Sequence, residues 1–148
     1  MQKGLKEKLG TVLFQLPANI QYSNEKLEEI IGTLDPQYTN VIEFRHSSWW
    51  NKTVMKQLSE NDITFCGVSF PKLPATVIIN APTLYYRLHG VPHLYESRYS
   101  VSALKKITDT IRGFKNVKAA YLYFNNDSRG SAFRNADKII SIVQGGQF

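Results

Sequence analysis

Glu43 and Arg45 stand two residues apart, as do Arg87 and His89, and each pair closes an apolar run: Val41-Ile42-Glu43-Phe44-Arg45-His46 and Leu84-Tyr85-Tyr86-Arg87-Leu88-His89. A spacing of two puts both members of a pair on one face of an extended strand. That combination of groups supports two kinds of chemistry. Glu43 and His89 are candidate proton carriers, and Arg45 and Arg87 can grip a carboxylate or phosphate in a bidentate fork. The same residues also suit a buried ion pair and a structurally satisfied histidine, so residue type alone leaves both readings open.

Two further apolar runs end in amides. Gly10-Thr11-Val12-Leu13-Phe14-Gln15-Leu16-Pro17 carries Gln15 beside its proline stop, and Tyr121-Leu122-Tyr123-Phe124-Asn125-Asn126 closes on two asparagines. After them Ser128, Arg129, Gly130, Ser131 and Arg134 lead into a helix start, where free N–H groups favour an anion; capping by Ser128 or Ser131 explains the same residues without a ligand and is the simpler reading. His46 either joins the site or bonds its own turn, and Trp49 is either a stacking wall for a ring or a core aromatic. Glu43 and His89 are therefore the candidate catalytic residues, and Gln15, Arg45, His46, Trp49, Arg87, Asn125, Asn126 and Arg134 the candidate substrate-binding ones. His89-Gly90-Val91-Pro92-His93 cannot offer the helical histidine pair of a zinc protease, so no metal is expected, and the residues specify no cofactor.

Strands alternating with helices position these groups. Ser23 or Asn24 caps a helix with Leu27, Ile30, Ile31 and Leu34 on one stripe, and Asn51 caps a second with Val54, Met55 and Leu58 inward. Ser100 or Ser102 opens a third, carrying Leu104, Ile107, Ile111 and Phe114. A last helix from about Ser131 packs through Ala132, Ala136, Ile139, Ile140 and Val143 until Gly145-Gly146. Ile63 to Val68 reads as one continuous buried strand, whereas Ala75 to Asn80, flanked by prolines, reads as an excursion.

Helical crossovers imply parallel pairing. One strand parity is apolar while the other mixes Tyr, Gln, Glu, Arg, His and Asn, as in a barrel whose inward residues line its mouth. The expected fold is α/β, a TIM-type (β/α) barrel. About five β/α units are present, against about 250 residues for a complete eightfold barrel. Residues 1–148 are accordingly expected to form a single domain, the C-terminal portion of such a barrel with its first strands missing. Its sheet edges would be exposed and paired in a homodimer.

The 148 residues carry a formal charge of +6, which favours anionic partners such as small metabolites, phosphate esters or nucleic acid. Lys3, Lys6, Lys8, Lys105, Lys106, Lys115 and Lys118 are dispersed rather than focused, which disfavours a dedicated nucleic-acid surface. A lone cysteine, Cys66, permits no internal disulfide and fits a reducing cytoplasm. No run has the length of a membrane span, and residues 1–8 lack the apolar core of a signal peptide.

Taken together, Leu9-Gly10-Thr11-Val12-Leu13-Phe14-Gln15-Leu16-Pro17, Glu43-Phe44-Arg45-His46-Ser47-Ser48-Trp49, Tyr86-Arg87-Leu88-His89-Gly90 and Tyr123-Phe124-Asn125-Asn126 with Arg134-Asn135-Ala136 resemble the DUF72 (YecE-like) family over nearly the whole chain. The resemblance implies a TIM-type barrel with these motifs at one end and supplies no reaction. It also implies further strands ahead of the Phe-Gln-Leu-Pro motif, close to which this sequence begins. The functional expectation is a barrel enzyme acting on a small anionic substrate, phosphorylated or not, by acid-base or hydrolytic chemistry. The alternative is a noncatalytic nucleic-acid or metabolite-binding protein.

Overall fold

The computed structural model describes Leu5 and residues 8–145; the segment 1–8 read for a leader and Gly146 of the expected helix stop fall wholly or partly outside these residues. Among the described residues six strands run in the order β1 (Val12–Leu16), β2 (Asn40–Phe44), β3 (Thr64–Phe65), β4 (Gly67–Ser69), β5 (Thr83–Leu88) and β6 (Ala119–Phe124). Among the described residues four α-helices separate or follow these strands: α1 (Asn24–Thr33), α2 (Lys52–Glu60), α3 (Val101–Arg112) and α4 (Ser131–Gly145).

Local chemistry sets the helix starts. Ser23, Asn51 and Ser100 lie in extended backbone, and their side chains accept from the N–H groups of Lys26, Val54 and Ala103, each satisfying an otherwise orphaned donor. Leu27 of α1 and Val54 and Leu58 of α2 are fully buried against Ile42, Phe44 and Phe65 on one face of the sheet. On that face Phe44 stacks on Trp49 at 4.4 Å, and the indole N–H of Trp49 donates to Ile20 O at 2.9 Å. Trp49 is thus a core aromatic with its polar atom satisfied.

Among the described residues all pairing is parallel, in two three-stranded sheets ordered β1-β2-β3 and β4-β5-β6. The continuous strand expected over Ile63 to Val68 is divided at Cys66, whose N–H still donates to Ile42 O at 2.8 Å. Gly67 explains the handover: a Cβ there would meet the Tyr86 ring at 2.8 Å and Thr76 O at 3.1 Å, so the chain passes closely against β5 at this point. Ala75 to Asn80 forms no strand. Instead the Asn80 side chain accepts from Phe65 N at 2.8 Å and donates to Ile63 O at 2.9 Å, acting as a substitute strand partner beside β3.

The strands curve around a shared interior. Leu13 of β1 and Tyr121 of β6 pack on the same buried group, Val41, Cys66, Val68 and Tyr85, although they lie on the outermost strands. Among the described residues β1 and β6 do not pair with each other, so the sheet is open. Two sequence expectations shift. Phe114, expected on the α3 stripe, and Ile140, expected on the α4 stripe, are about half exposed; α4 buries Ile139 as expected, together with Ser131 and Asn135, which lie outside the expected stripe.

Candidate functional site

Parallel strands leave their carboxyl ends on one side, and the polar residues collect there. Gln15 is the penultimate residue of β1, and Arg45 follows β2. Phe70 follows β4, Arg87 is penultimate in β5, and His89 and Asn125 lie just past β5 and β6. Together with Pro17, Ala18 and Tyr95 they line a cleft of about 420 Å³.

Beneath the cleft lies Glu43, fully buried. Its Oε2 accepts from Arg87 Nη1 at 2.6 Å, and its Oε1 faces Arg45 Nε. The second contact is close but not aligned for a hydrogen bond, so its attraction is mainly that of charge. Gln15 Oε1 accepts from Arg45 Nη2 at 3.2 Å and from Arg87 Nη1 at 3.3 Å, linking β1 to the other two strands. The Arg45 guanidinium also lies over the Phe70 ring, 4.4 Å from its centroid. One carboxylate, one amide and one ring therefore hold two guanidinium groups side by side.

His89 is buried beside them, with Nε2 3.3 Å from Arg45 Nη2 and 3.8 Å from Glu43 Oε1. Burial, followed by the positive charges of Arg45 and Arg87, holds its imidazole down at about 3. It is neutral at ordinary pH, and Nε2 serves as acceptor for Arg45. Nδ1 then carries the hydrogen and has no partner among the described residues. Cys66 approaches Glu43 from below, its Sγ 4.0 Å from Oε2, and burial pushes its thiol far up, which keeps it protonated.

The structure brings Gln15, Arg45, Arg87, His89 and Asn125 to one cleft over Glu43 and does not bring the other sequence candidates there. His46 Nδ1 accepts from Ser48 N at 3.2 Å, closing its own turn. Trp49 is buried in the core and Arg134 is exposed on α4. Asn126 is fully buried, donating to Ser97 O and to Asn135 Oδ1, both at 3.0 Å. Asn135 in turn accepts from Tyr99 N and donates to Tyr99 O. These two amides clasp the segment 97–99 to β6 and α4, supporting the loop that carries Tyr95. No group of three or more His, Cys, Asp and Glu side chains suited to a metal ion occurs among the described residues.

Phe70 and Tyr95 are cleft residues absent from the sequence candidates. Tyr95 is brought back over the strand end because its N–H donates to His89 O at 2.6 Å, across a turn at Gly90. Gly90 has φ of +96°, and a Cβ there would meet His93 O at 2.9 Å. The Gly after His89 was the available signal for a tight return.

A family described as protein of unknown function DUF72 matches residues 1–147. The chain belongs to the DUF72 family. Among solved structures, this DUF72 chain is similar to a DUF72 protein from Thermotoga maritima, with 29% identity and a TM-score of 0.81, covering 93% of this chain and 59% of that one. It also shares its fold with a DUF72 protein from Enterococcus faecalis, at 20% identity and a TM-score of 0.75, covering 93% of this chain and 61% of that one. The DUF72 chain thus spans about three fifths of the length of these relatives. No curated protein matches it. Among the described residues no helix is long and apolar enough to cross a membrane.

Proposed function

We propose that this DUF72 chain is part of a TIM-type barrel enzyme. It would bind a small anionic substrate, a carboxylate or a phosphate ester, between Arg45 and Arg87 and act on it by acid-base or hydrolytic chemistry. One observation carries the reading: both guanidinium groups lean on the single buried carboxylate of Glu43 while lining an open cleft. Two positive charges against one negative leave a net positive site, since His89 is neutral. Arg45 Nη1 and Arg87 Nη2 make no hydrogen bond among the described residues, and they supply the donors an anion needs.

In this reading Arg45, Arg87 and Asn125 orient the anion, and Glu43 and His89 handle protons. A bound anion offsets the guanidinium charges that depress His89, so its proton affinity rises when substrate arrives. Glu43 Oε1, 3.8 Å from His89 Nε2, is the adjacent carboxylate for exchange. A turnover screen over small carboxylates and phosphate esters tests this. Glu43→Gln and His89→Gln should abolish kcat, and Arg87→Gln should raise KM; unchanged turnover in the first two would remove their roles.

A noncatalytic metabolite-binding role is the second reading. Glu43 has both oxygens against guanidinium groups, an arrangement already complete for binding. It is distinguished by anion binding without turnover. Binding to nucleic acid instead would weaken steeply with salt and uniformly across sequences. The open strands β1 and β6, with Phe14 of β1 at 41% exposure, support pairing of two copies, and a monomer in light scattering would contradict that assembly. The buried lone thiol of Cys66 supports a cytoplasmic setting.

A further inference from the structure

The connection between β4 and β5, residues 70–82, crosses without a helix and leaves a second cavity of about 480 Å³ against α3. Ala75 and Val77 of the connection and Ala103 and Ile107 of α3 give it apolar walls. Its deepest residues, Ser69 and Tyr86, are almost fully buried, whereas Lys106 and Thr110 lie exposed at the rim. Two of the polar groups inside are already engaged: the Tyr99 hydroxyl donates to Ser69 Oγ and accepts from Gly90 N, both at 2.8 Å. An occupant therefore has apolar contacts to gain in the interior and a charge to meet only at the mouth. Lys106 is the only charged residue of the lining; its carbonyl accepts from the Thr110 hydroxyl at 2.7 Å, while its ammonium group makes no ion pair or hydrogen bond among the described residues.

We propose that this cavity is a second ligand site, for an apolar chain bearing a single carboxylate. The chain lies between Val77, Ala103 and Ile107, and the carboxylate meets Lys106. Volume, apolar walls and one charged group at the rim are the general attributes of a small-molecule pocket. The site is separate from the guanidinium cleft and does not depend on the reading of that cleft.

Octanoate and 1-octanol serve as probes, titrated into the full chain with amide NMR shifts as the readout. Saturable shifts at Ala103 and Ile107 are expected for both. Lys106→Gln should weaken octanoate by about fivefold and leave octanol unchanged, and Ala103→Trp should abolish both by filling the space. Lys106→Gln alters only an exposed side chain, so it keeps the test valid if the tryptophan variant does not fold. Shifts absent, or confined to residues around Arg45 and Arg87, would overturn the site, as would octanoate affinity unchanged in Lys106→Gln.

Discussion

Arg87 Nη1 lies 2.6 Å from Glu43 Oε2, although the segments β3 and β4 run between their two strands. Such a span requires both side chains to point into the concave interior, and it ties the position of the cleft to the curvature of the sheet. The pair is also fully desolvated on the Glu43 side. Its loss leaves guanidinium charge without its counter-ion in a low-dielectric setting, which is costlier than the pair itself is stabilising.

Glu43→Gln keeps shape while removing that counter-charge from Arg45 and Arg87. A loss of about 3–5 kcal/mol in urea denaturation is expected. A change below about 1 kcal/mol would mean the guanidinium groups find other partners and that Glu43 does not organise them.

His89 makes stability depend on pH. Its folded imidazole is held down at about 3, while an unfolded histidine titrates near 6.5. Between those values the unfolded chain binds a proton that the folded chain refuses, so stability falls as pH falls through this window. The contribution is of order 3 kcal/mol by pH 4. Carboxylates titrate in the same range, so the measurement is the difference between the parent and His89→Gln. The variant should show the shallower loss between pH 6.5 and 4; equal slopes would contradict a buried neutral His89.

Asn135→Ala opens the clasp on the loop behind Tyr95. Tyr99 N, Tyr99 O and Asn126 Nδ2 each lose a partner, for a cost of about 2–3 kcal/mol. Amide exchange at Tyr99 should accelerate with it, and unchanged exchange would show that the loop is held by other means.

Gly90→Ala and Gly130→Ala separate backbone strain from crowding. Both residues have positive φ, but only at Gly90 does an added Cβ meet main-chain atoms, His93 O at 2.9 Å and Tyr95 N at 3.2 Å. Gly130→Ala should cost about 1 kcal/mol and Gly90→Ala distinctly more, with displacement of Tyr95. Equal losses in thermal denaturation would contradict this account of the turn.

The site was legible where strand parity governs it. Glu43, Arg45, Arg87 and His89 share the inward face because side chains alternate with period two, and strand ends follow from Pro17 and Gly90. Phe70 and Tyr95 were not legible, because they sit on loops whose return depends on contacts such as Tyr95 N to His89 O. Asn126 and Asn135 show a different limit. An amide bonds main-chain groups and ligands equally well, and only their three-dimensional proximity to Tyr99 shows which these two serve. The break at Cys66 was hidden for a similar reason: the apolar run is continuous, and the handover comes from the close approach of Gly67 to Tyr86 and Thr76.

The most direct test of the anion cleft is calorimetric titration of the chain with inorganic phosphate and with acetate, alongside Arg45→Gln and Arg87→Gln variants whose fold is checked by circular dichroism. The account predicts saturable binding of at least one anion that weakens with added salt and falls by about tenfold or more in either variant, as expected when a charged hydrogen-bond donor is removed. No saturable heat, or equal affinity in the parent and both variants, would contradict it.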